Sequence, residues 1–316
     1  MSDPESAAVG RRGIVSFDGS PPSEDALALA LRLRDRDGGM LVLACVVPGR
    51  QWHLPAHAHR PDATVPDEIA RMFAEARATT IPAGIRVKQR APVAPSPARG
   101  LTELAEAEGA DLVVIGSSRH SEAGRVAIDR TAGRLLQGAP CAVAVAPAGL
   151  RSTERFRHVG VAYDGSPEAS AALAAGYAIA ARDCAAVTLL SALDAVPPPA
   201  SVAVAADLES TGRRARLHVQ ELLDAAADAA PAGVNPRTLL LHGAPAAVIP
   251  PACDGIVDLL VTGSRGYGPM QRALLGSVSE ALTNGATYPV LVLPRRPAPV
   301  AEPARRAAVT AAVEPT

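Results

Sequence analysis

The residues with the clearest potential for binding chemistry are glycines and a serine in the second half of the chain. Gly263 and Gly266 are separated by two residues, and after nine more residues Gly276 is followed by Ser277. Glycine permits positive φ and a close approach of the backbone to a ligand. Helical periodicity resumes at Ser277, where free amide groups and the helix dipole favour an anion. The spacing therefore predicts a site for a phosphorylated ligand.

The same residues also have a purely structural interpretation, which stays open at this point. Ser277 with Glu280 three residues later forms a capping box, which needs no ligand. An earlier candidate, Asp164-Gly165-Ser166, is a common turn from a strand into a helix, and its aspartate often binds its own backbone. Only the joint spacing of these groups favours a ligand over a cap and a turn.

The elements that must position these residues occur twice in the chain. The segment Ile14 to Pro21 recurs as Gly160 to Pro167, and Asp111 to Ser117 recurs as Asp258 to Ser264. In each copy short apolar runs alternate with amphipathic helical stretches, which is typical of a parallel sheet covered on both faces. The sequence therefore predicts two tandem α/β domains. The strands expected in the second copy are 158–163, 186–192, 237–241, 258–262 and 290–293.

Composition predicts the boundaries of these domains. Segments rich in Pro or Ala are expected to be loops at Arg50 to Pro66 and Ala195 to Thr211. The expected order is a disordered tail 1–12, domain 13–147, linker 148–156, domain 157–295 and a disordered tail 296–316.

Charge and residue usage exclude several classes of protein. Lys and Arg number 31 and Asp and Glu 32, so nothing favours a nucleic-acid partner. Lys88 is the only lysine and does not follow a glycine, which excludes a P-loop nucleotide site. No segment is long and apolar enough for a membrane span. Four scattered cysteines and no apolar signal region favour a cytoplasmic protein with reduced thiols.

The glycine spacing in the second copy resembles the nucleotide-binding motif of the universal stress protein family, and so do Asp164-Gly165-Ser166 and Gly243. The resemblance covers both copies. It implies Rossmann-like, doubly wound domains, similar to those of adenine nucleotide alpha hydrolases, with strand order 3-2-1-4-5 and ATP at the carboxyl ends of strands one and four. That location agrees with the rule for doubly wound sheets.

The resemblance also implies roles for particular residues. Asp164 would bind the adenosine end near the main chain of Ala162 and Tyr163, and Gly263 and Gly266 would line the ribose and phosphate path. The β- and γ-phosphates, with Mg2+ or Mn2+, would lie at the start of the following helix. The full expected set is Ala162, Tyr163, Asp164, Gly263, Arg265, Gly266, Gly276, Ser277, Val278 and Ser279.

The first copy departs from this motif. It keeps Asp18 and Gly116 but has Arg119 for the second glycine, Asp129 for the third and Arg130 for the serine. A carboxylate at Asp129 would repel phosphates unless Arg130 paired with it. We therefore expect weak or no ATP binding there, with Asp18, Gly116, Arg119 and Arg130 as weak candidates. An alternative is a different anion site built from Arg119, Arg125 and Arg130.

One further cluster could bind a metal. His53, His57 and His59 lie in one segment, and with Asp62 they could in principle hold zinc or nickel. The flanking prolines favour a surface loop instead, so no metal site is expected.

These observations predict a nucleotide-dependent regulatory protein with no catalytic residues assigned. The alternatives are a scaffold with a vestigial nucleotide site and, less favoured, a slow ATPase. The resemblance implies that Ala142 to Ala146 pairs with Val290 to Leu293, which would make the chain an internal pseudo-dimer able to dimerise further.

Overall fold

The structure is a computed structural model that describes residues 9–49, 65–193, 202–264 and 277–294. Within two helices the side chains are described only from residue 211 and from residue 278 onward. In this part of the chain two domains of similar architecture follow one another, as the internal repeat predicts.

The first domain alternates strands and helices from its first residues. Its strands are β1 (Arg12–Ser16), β2 (Met40–Ala44), β3 (Val47–Pro48), β4 (Arg86–Arg90), β5 (Val93–Ala94), β6 (Leu112–Gly116) and β7 (Ala142–Ala146). Its helices are α1 (Pro21–Leu33), α2 (Asp67–Thr79), α3 (Pro97–Glu108) and α4 (Arg130–Gly138).

The second domain repeats this alternation. Its strands are β8 (His158–Ala162), β9 (Ala186–Leu193), β10 (Pro236–His242), β11 (Leu259–Gly263) and β12 (Val290–Leu293). Its helices are α5 (Pro167–Asp183), α6 (Val202–Asp228), α7 (Pro245–Cys253) and α8 (Ser277–Thr283). These strands confirm the five expected from the sequence, with small differences at their ends.

One continuous sheet runs through both domains. Its ten strands lie in the order β10-β9-β8-β11-β12-β7-β6-β1-β2-β4, while β3 and β5 form a separate pair. Read within each domain, this is the predicted order 3-2-1-4-5, and the strands of each domain pair in parallel. Strands β7 and β12 pair antiparallel, with Leu291 opposite Ala144. The predicted pairing of the fifth strands is therefore confirmed.

Apolar strands and an acidic residue before the fourth strand fix each domain. All five residues of β7 are buried, because the helices α1 and α4 pack against the strand. Asp111 accepts hydrogen bonds from the main-chain N–H groups of Gly10 and Arg12, and Asp258 accepts them from Arg157 and His158. One carboxylate in each domain thus holds the start of the first strand beside the fourth.

One expectation about a loop is wrong. Residues 195–211 were expected to be a loop, yet α6 begins at Val202 and continues to Asp228. Alanine and leucine have high helix propensity, and this outweighs the loop-like composition of the segment. Leu223, in the later part of the helix, is fully buried and anchors α6 on the domain.

The segment between the domains makes specific contacts. The N–H of Gly149 donates to a carboxylate oxygen of Asp25 at 2.8 Å. Phe156 is 1% exposed, and the guanidinium of Arg32 lies 4.0 Å from the centre of its ring. Near the start of the chain, β1 begins at Arg12, the last residue of the expected tail 1–12. Residues 1–8 and 295–316 lie outside the described residues.

Two further features concern the whole described part of the chain. None of its helices combines the length and apolarity that a bilayer span requires. The four cysteines are free thiols.

Candidate functional site

The candidate site of the second domain lies where the order of the sheet reverses. Strand β8 pairs with β9 on one side and with β11 on the other, so the carboxyl ends of β8 and β11 are neighbours. In doubly wound sheets, ligands bind in the crevice at such a point. The Asp164 turn follows β8, and Gly263 is the last residue of β11.

The turn after β8 is held by its own side chains. Oδ1 of Asp164 accepts from the N–H of Ser166 at 2.9 Å, and Oγ of Ser166 accepts from the N–H of Ala169 at 3.1 Å, which caps α5. Gly165 between them has φ +78°, a conformation that favours glycine. The turn itself thus uses one of the two carboxylate oxygens of Asp164. The side chain is exposed, and its Oδ2 has no hydrogen-bond partner among the described residues.

The main chain before this turn is already partly used by the sheet. Tyr163 donates its N–H to the carbonyl of Leu190 at 2.8 Å, and Ala162 lies opposite Leu190 in the β8–β9 register. A ligand could therefore meet only the carbonyl of Tyr163, and not its N–H.

The packing of the second domain requires a glycine at position 263. A Cβ at this position would lie 2.8 Å from the carbonyl carbon of Glu168 in the first turn of α5. The absence of a side chain lets the helix lie directly on the end of β11. The carbonyl of Gly263 accepts from Oγ of Ser279 at 2.6 Å, which fastens α8 to the same strand.

Ser279 is buried, with 2% exposure, and its hydroxyl is committed to Gly263. Its main-chain carbonyl accepts from Oγ1 of Thr283 at 2.7 Å, one turn further along α8. The hydroxyl of Ser279 is therefore not available for the phosphate role that the resemblance implies. Val278 is half-buried and packs against the core. The side chain of Ser277 and the residues Arg265, Gly266 and Gly276 lie outside the described part of the structure.

In the corresponding site of the first domain, side chains of the chain itself bind the aspartate that a ligand would contact. Nη2 of Arg119 donates to Oδ2 of Asp18 at 2.7 Å, while Oδ1 of Asp18 accepts from the N–H and the hydroxyl of Ser20. Burial raises the pKa of Asp18, but the bonds from Ser20 and Arg119 outweigh it and hold the pKa below its ordinary value. Both oxygens that a ligand would use are occupied.

The start of α4 is closed in the same way. Oδ1 of Asp129 accepts from the N–H of Ala132 at 2.8 Å and caps the helix. The pairing with Arg130 that would offset the charge of Asp129 is not made, since the exposed side chain of Arg130 has no hydrogen bond or ion pair with the described residues. A carboxylate of the chain thus occupies the helix end where an anion would bind.

The alternative anion site of the first domain does not assemble. Arg119 binds Asp18, whereas Arg125 binds the carbonyl of Gly285 in the second domain and lies 3.6 Å from Glu122. Gly116 has the same packing role as Gly263, because a Cβ there would collide with the carbonyl oxygen of Pro22 in α1.

Two groups of contacts were not foreseen from the sequence. Ser117 accepts from the N–H of Ala127 at 2.6 Å, and Arg125 reaches across the domain boundary. The sequence hints at these contacts only through the loss of the glycine motif in the first copy. That loss indicates that the loop has another role, but it does not indicate the contacts. The histidine cluster lies outside the described residues, and within them no group of three acidic, histidine or cysteine side chains could hold a metal ion.

Comparison with known proteins places both halves of the chain in one family. The family described as "Universal stress protein family" matches residues 11–147 and 155–294. A curated Staphylococcus haemolyticus protein named for the same family is 34% identical over 142 residues, covering 44% of this chain and 84% of that protein. A Staphylococcus epidermidis relative is 33% identical over the same coverage.

Solved structures share the fold over almost the full length. A functionally unknown protein from Pseudomonas aeruginosa aligns with a TM-score of 0.64 and 18% identity, covering 92% of this chain and 95% of that one. A universal stress protein from Archaeoglobus fulgidus aligns with a TM-score of 0.61 and 17% identity, covering 91% and 99%. At these identities the likeness concerns the arrangement of strands and helices.

Proposed function

Because the chain belongs to the universal stress protein family along both of its halves, we propose that its second domain binds ATP as a regulatory ligand. One observation carries the proposal: Asp164 keeps a carboxylate oxygen that has no hydrogen-bond partner among the described residues. This oxygen lies at the switch point of the sheet, at the carboxyl ends of β8 and β11. Helix α8 is attached to the same end of β11 through Ser279. Ligands of doubly wound sheets bind at this position.

The residues at this position suit a nucleotide. An exposed carboxylate oxygen at Asp164 accepts hydrogen bonds from sugar hydroxyl groups, and the carbonyl of Tyr163 can accept one from an exocyclic amine. The glycine spacing from Gly263 to Gly276 suits the phosphates, because a main chain without side chains can approach them closely. Mg2+ or Mn2+ would enter with the phosphates, since divalent cations of this kind keep few protein ligands beside nucleotides.

We further propose that the first domain does not bind ATP. Arg119 covers Asp18, and Asp129 caps α4, so both ends of its site are satisfied within the chain. A nucleotide would have to displace both groups, and the negative charge of Asp129 would oppose the phosphates. The first domain then serves as the structural partner of the second.

Titration calorimetry with Mg-ATP on the intact chain tests the proposal. The variant Gly276→Asp installs in the second domain the residue type that the first domain carries at the matching position. Gly138→Asp is the matched control, because it adds the same charge at an exposed glycine that has no positive φ and has nothing within 4 Å of a Cβ. We expect one site in the wild type and in the control, and none in Gly276→Asp.

The other outcomes decide between the alternatives. If the wild type binds no nucleotide and ATP does not raise its melting temperature, the proposal fails and the scaffold hypothesis leads, because a ligand of the folded state must stabilise it. Two sites in the wild type would contradict the account of the first domain. Release of ADP during the titration would favour the slow ATPase.

A further inference from the structure

The loop after β6, residues 117–129, is the part of the first domain that corresponds to the phosphate motif. We refer to it as the first motif loop. Instead of facing a ligand, it forms main-chain hydrogen bonds with the second domain. The N–H of Val126 donates to the carbonyl of Ala286 at 2.9 Å, and the N–H of Gly285 donates to the carbonyl of Val126 at 2.7 Å. These reciprocal bonds join the loop to the turn that ends α8.

Side chains extend the same contact. Nη1 of Arg125 donates to the carbonyl of Gly285 at 3.1 Å, and Oδ1 of Asn284 accepts from the N–H of Ile128 at 3.2 Å. Val126 is 2% exposed and belongs to the same buried cluster as Leu282 of α8. The contact thus combines a buried apolar side chain with four hydrogen bonds across the domain boundary.

The first motif loop is held in place from its own side without a ligand. Ala127 donates its N–H to Oγ of Ser117 at 2.6 Å, and its carbonyl accepts from the N–H of Ser118 at 2.9 Å. Asp129 at the end of the loop caps α4, and Arg119 near its start binds Asp18. The residues that replace the nucleotide motif therefore fix the loop that contacts α8.

We infer that the first motif loop positions α8 and thereby sets the nucleotide affinity of the second domain. This inference rests on the proposed function. Helix α8 is short, from Ser277 to Thr283, and carries the end of the glycine motif at its start. Described hydrogen bonds hold it at two places, from Ser279 to Gly263 near its start and with the first motif loop at its end, and Leu282 packs in the buried cluster. Loosening the second contact lets the helix shift away from the end of β11.

Three variants of the full chain test the inference. Asn284→Ala removes the acceptor for Ile128, and Asn284→Asp retains an oxygen there. Arg125→Ala removes the bond to Gly285. The controls are Asn235→Ala and Arg99→Ala, in which an exposed side chain of the same type is removed away from this contact. Amide hydrogen exchange of residues 279–286 and the Kd for Mg-ATP are measured for each.

In Asn284→Ala and Arg125→Ala we expect faster amide hydrogen exchange at Gly285 and in the last turn of α8. The expected factor is roughly fivefold, which corresponds to the loss of one hydrogen bond of about 1 kcal/mol. The Kd for Mg-ATP should rise by a similar factor, while Asn284→Asp and the two controls stay near the wild type. If exchange and Kd return to the wild-type values in Asn284→Asp, the effect of Asn284→Ala comes from the lost oxygen acceptor and not from a general loss of stability.

Unchanged exchange in α8 overturns the inference, and so does faster exchange with an unchanged Kd. If the wild type binds no Mg-ATP, the proposed function fails separately. Exchange then decides the positioning alone: faster exchange in Asn284→Ala supports the hold on α8, and unaltered exchange overturns it.

Discussion

Arg119 donates to the carboxylate of Asp18 across the carboxyl ends of β6 and β1, with 2.7 Å between Nη2 and Oδ2. In the second domain, Asp164 occupies the position of Asp18 but has no such partner among the described residues. The two halves share one fold but differ after their first strands. In the first half an arginine of the chain binds the aspartate, and in the second half no described residue does so. This difference is the physical basis for proposing that the second domain, and not the first, binds a nucleotide.

The ion pair of Arg119 and Asp18 should contribute little to stability. Both side chains are largely exposed, at 69% and 49%, so solvent screens their attraction. We expect Arg119→Ala to lower the free energy of unfolding by less than about 1 kcal/mol at neutral pH. It should not create a second ATP site, because Asp129 still caps α4.

The pH dependence of this variant has a defined sign. The folded protein lowers the pKa of Asp18, so the carboxylate stabilises the fold at neutral pH and loses that contribution as the pH falls below its ordinary value of 3.8. Arg119→Ala should weaken this dependence at acid pH. Urea unfolding between neutral and acid pH measures it, with Arg157→Ala, which breaks the exposed pair with Glu154, as the control. An equal slope in wild type and variant would contradict the role of Arg119.

The glycines that end the fourth strands should not tolerate a methyl group. Gly116→Ala drives a Cβ into the carbonyl oxygen of Pro22, and Gly263→Ala places one 2.8 Å from the carbonyl carbon of Glu168. We expect losses of about 3 kcal/mol for the first and about 1 to 3 kcal/mol for the second, as overpacked cores show. Differential scanning calorimetry measures both.

Gly138→Ala is the control for these two variants. Nothing lies within 4 Å of a Cβ at this position, and the residue ends α4 without a positive φ. Alanine there should be neutral or stabilise by up to about 1 kcal/mol. If Gly116→Ala is as stable as Gly138→Ala, the close contact of α1 with β6 is not what requires glycine.

Local patterns in the sequence account for most of the fold. Runs such as Leu112 to Ile115 are apolar on both faces, and this predicts a strand buried inside a covered parallel sheet. The duplicated segments then fix the tandem arrangement. The helical start of α6 was missed because its alanines fit a loop by composition and a helix by propensity. The sequence alone also does not reveal that Leu223, later in the same helix, packs into the buried cluster.

The candidate site was predictable only in part, for a related reason. The sequence shows that Arg119 and Asp129 replace glycines, and charge alone predicts that phosphates are disfavoured there. It does not show that Arg119 binds Asp18, because the two residues are distant in the chain and meet through the pairing of β1 with β6. Likewise, the contact of Val126 with Ala286 depends on the joining of the two domains at β7 and β12.

Asp25 provides a second test of electrostatics, with the opposite sign. It is 2% exposed, its Oδ1 has no hydrogen-bond partner, and Arg151 lies 3.7 Å from that oxygen. Burial raises the pKa of Asp25 more than the bond from Gly149 and the charge of Arg151 lower it. A raised pKa means that its contribution to stability is present at acid pH and is lost as the pH rises through the pKa of the folded state.

We therefore expect Asp25→Asn to gain stability relative to the wild type as the pH rises from about 4 to 7. The amide oxygen can still accept from Gly149, while the buried charge is removed. Guanidinium unfolding at several pH values measures the difference. Glu24→Gln is the control, because Glu24 pairs with the same Arg151 but is half exposed. A difference that shrinks as the pH rises would contradict the burial of an uncompensated charge at Asp25.

The contact between α1 and α5 should be sensitive to the loss of one charged side chain, Arg182. Arg182 donates to the carbonyls of Arg32, Leu33 and Arg34, which end α1, and also binds its neighbour Asp183. The side chain of Asp183 is fully buried and accepts further bonds from Arg36 and from the N–H of Phe156. Although burial raises the pKa of Asp183, the bonds and charge of Arg182 hold it below its ordinary value.

Arg182→Ala leaves three helix-end carbonyls without this donor and removes one cation from a buried carboxylate. We expect the free energy of unfolding to fall by about 2 to 4 kcal/mol, since breaking a buried ion pair leaves a charge uncompensated. Arg182→Lys should recover less than half, because an ammonium group lacks the planar fork that reaches several carbonyls at once. Chemical unfolding measures both, with the exposed Arg99→Ala as the control. Full recovery by lysine would mean that charge alone, and not the shape of the guanidinium, joins α1 to α5.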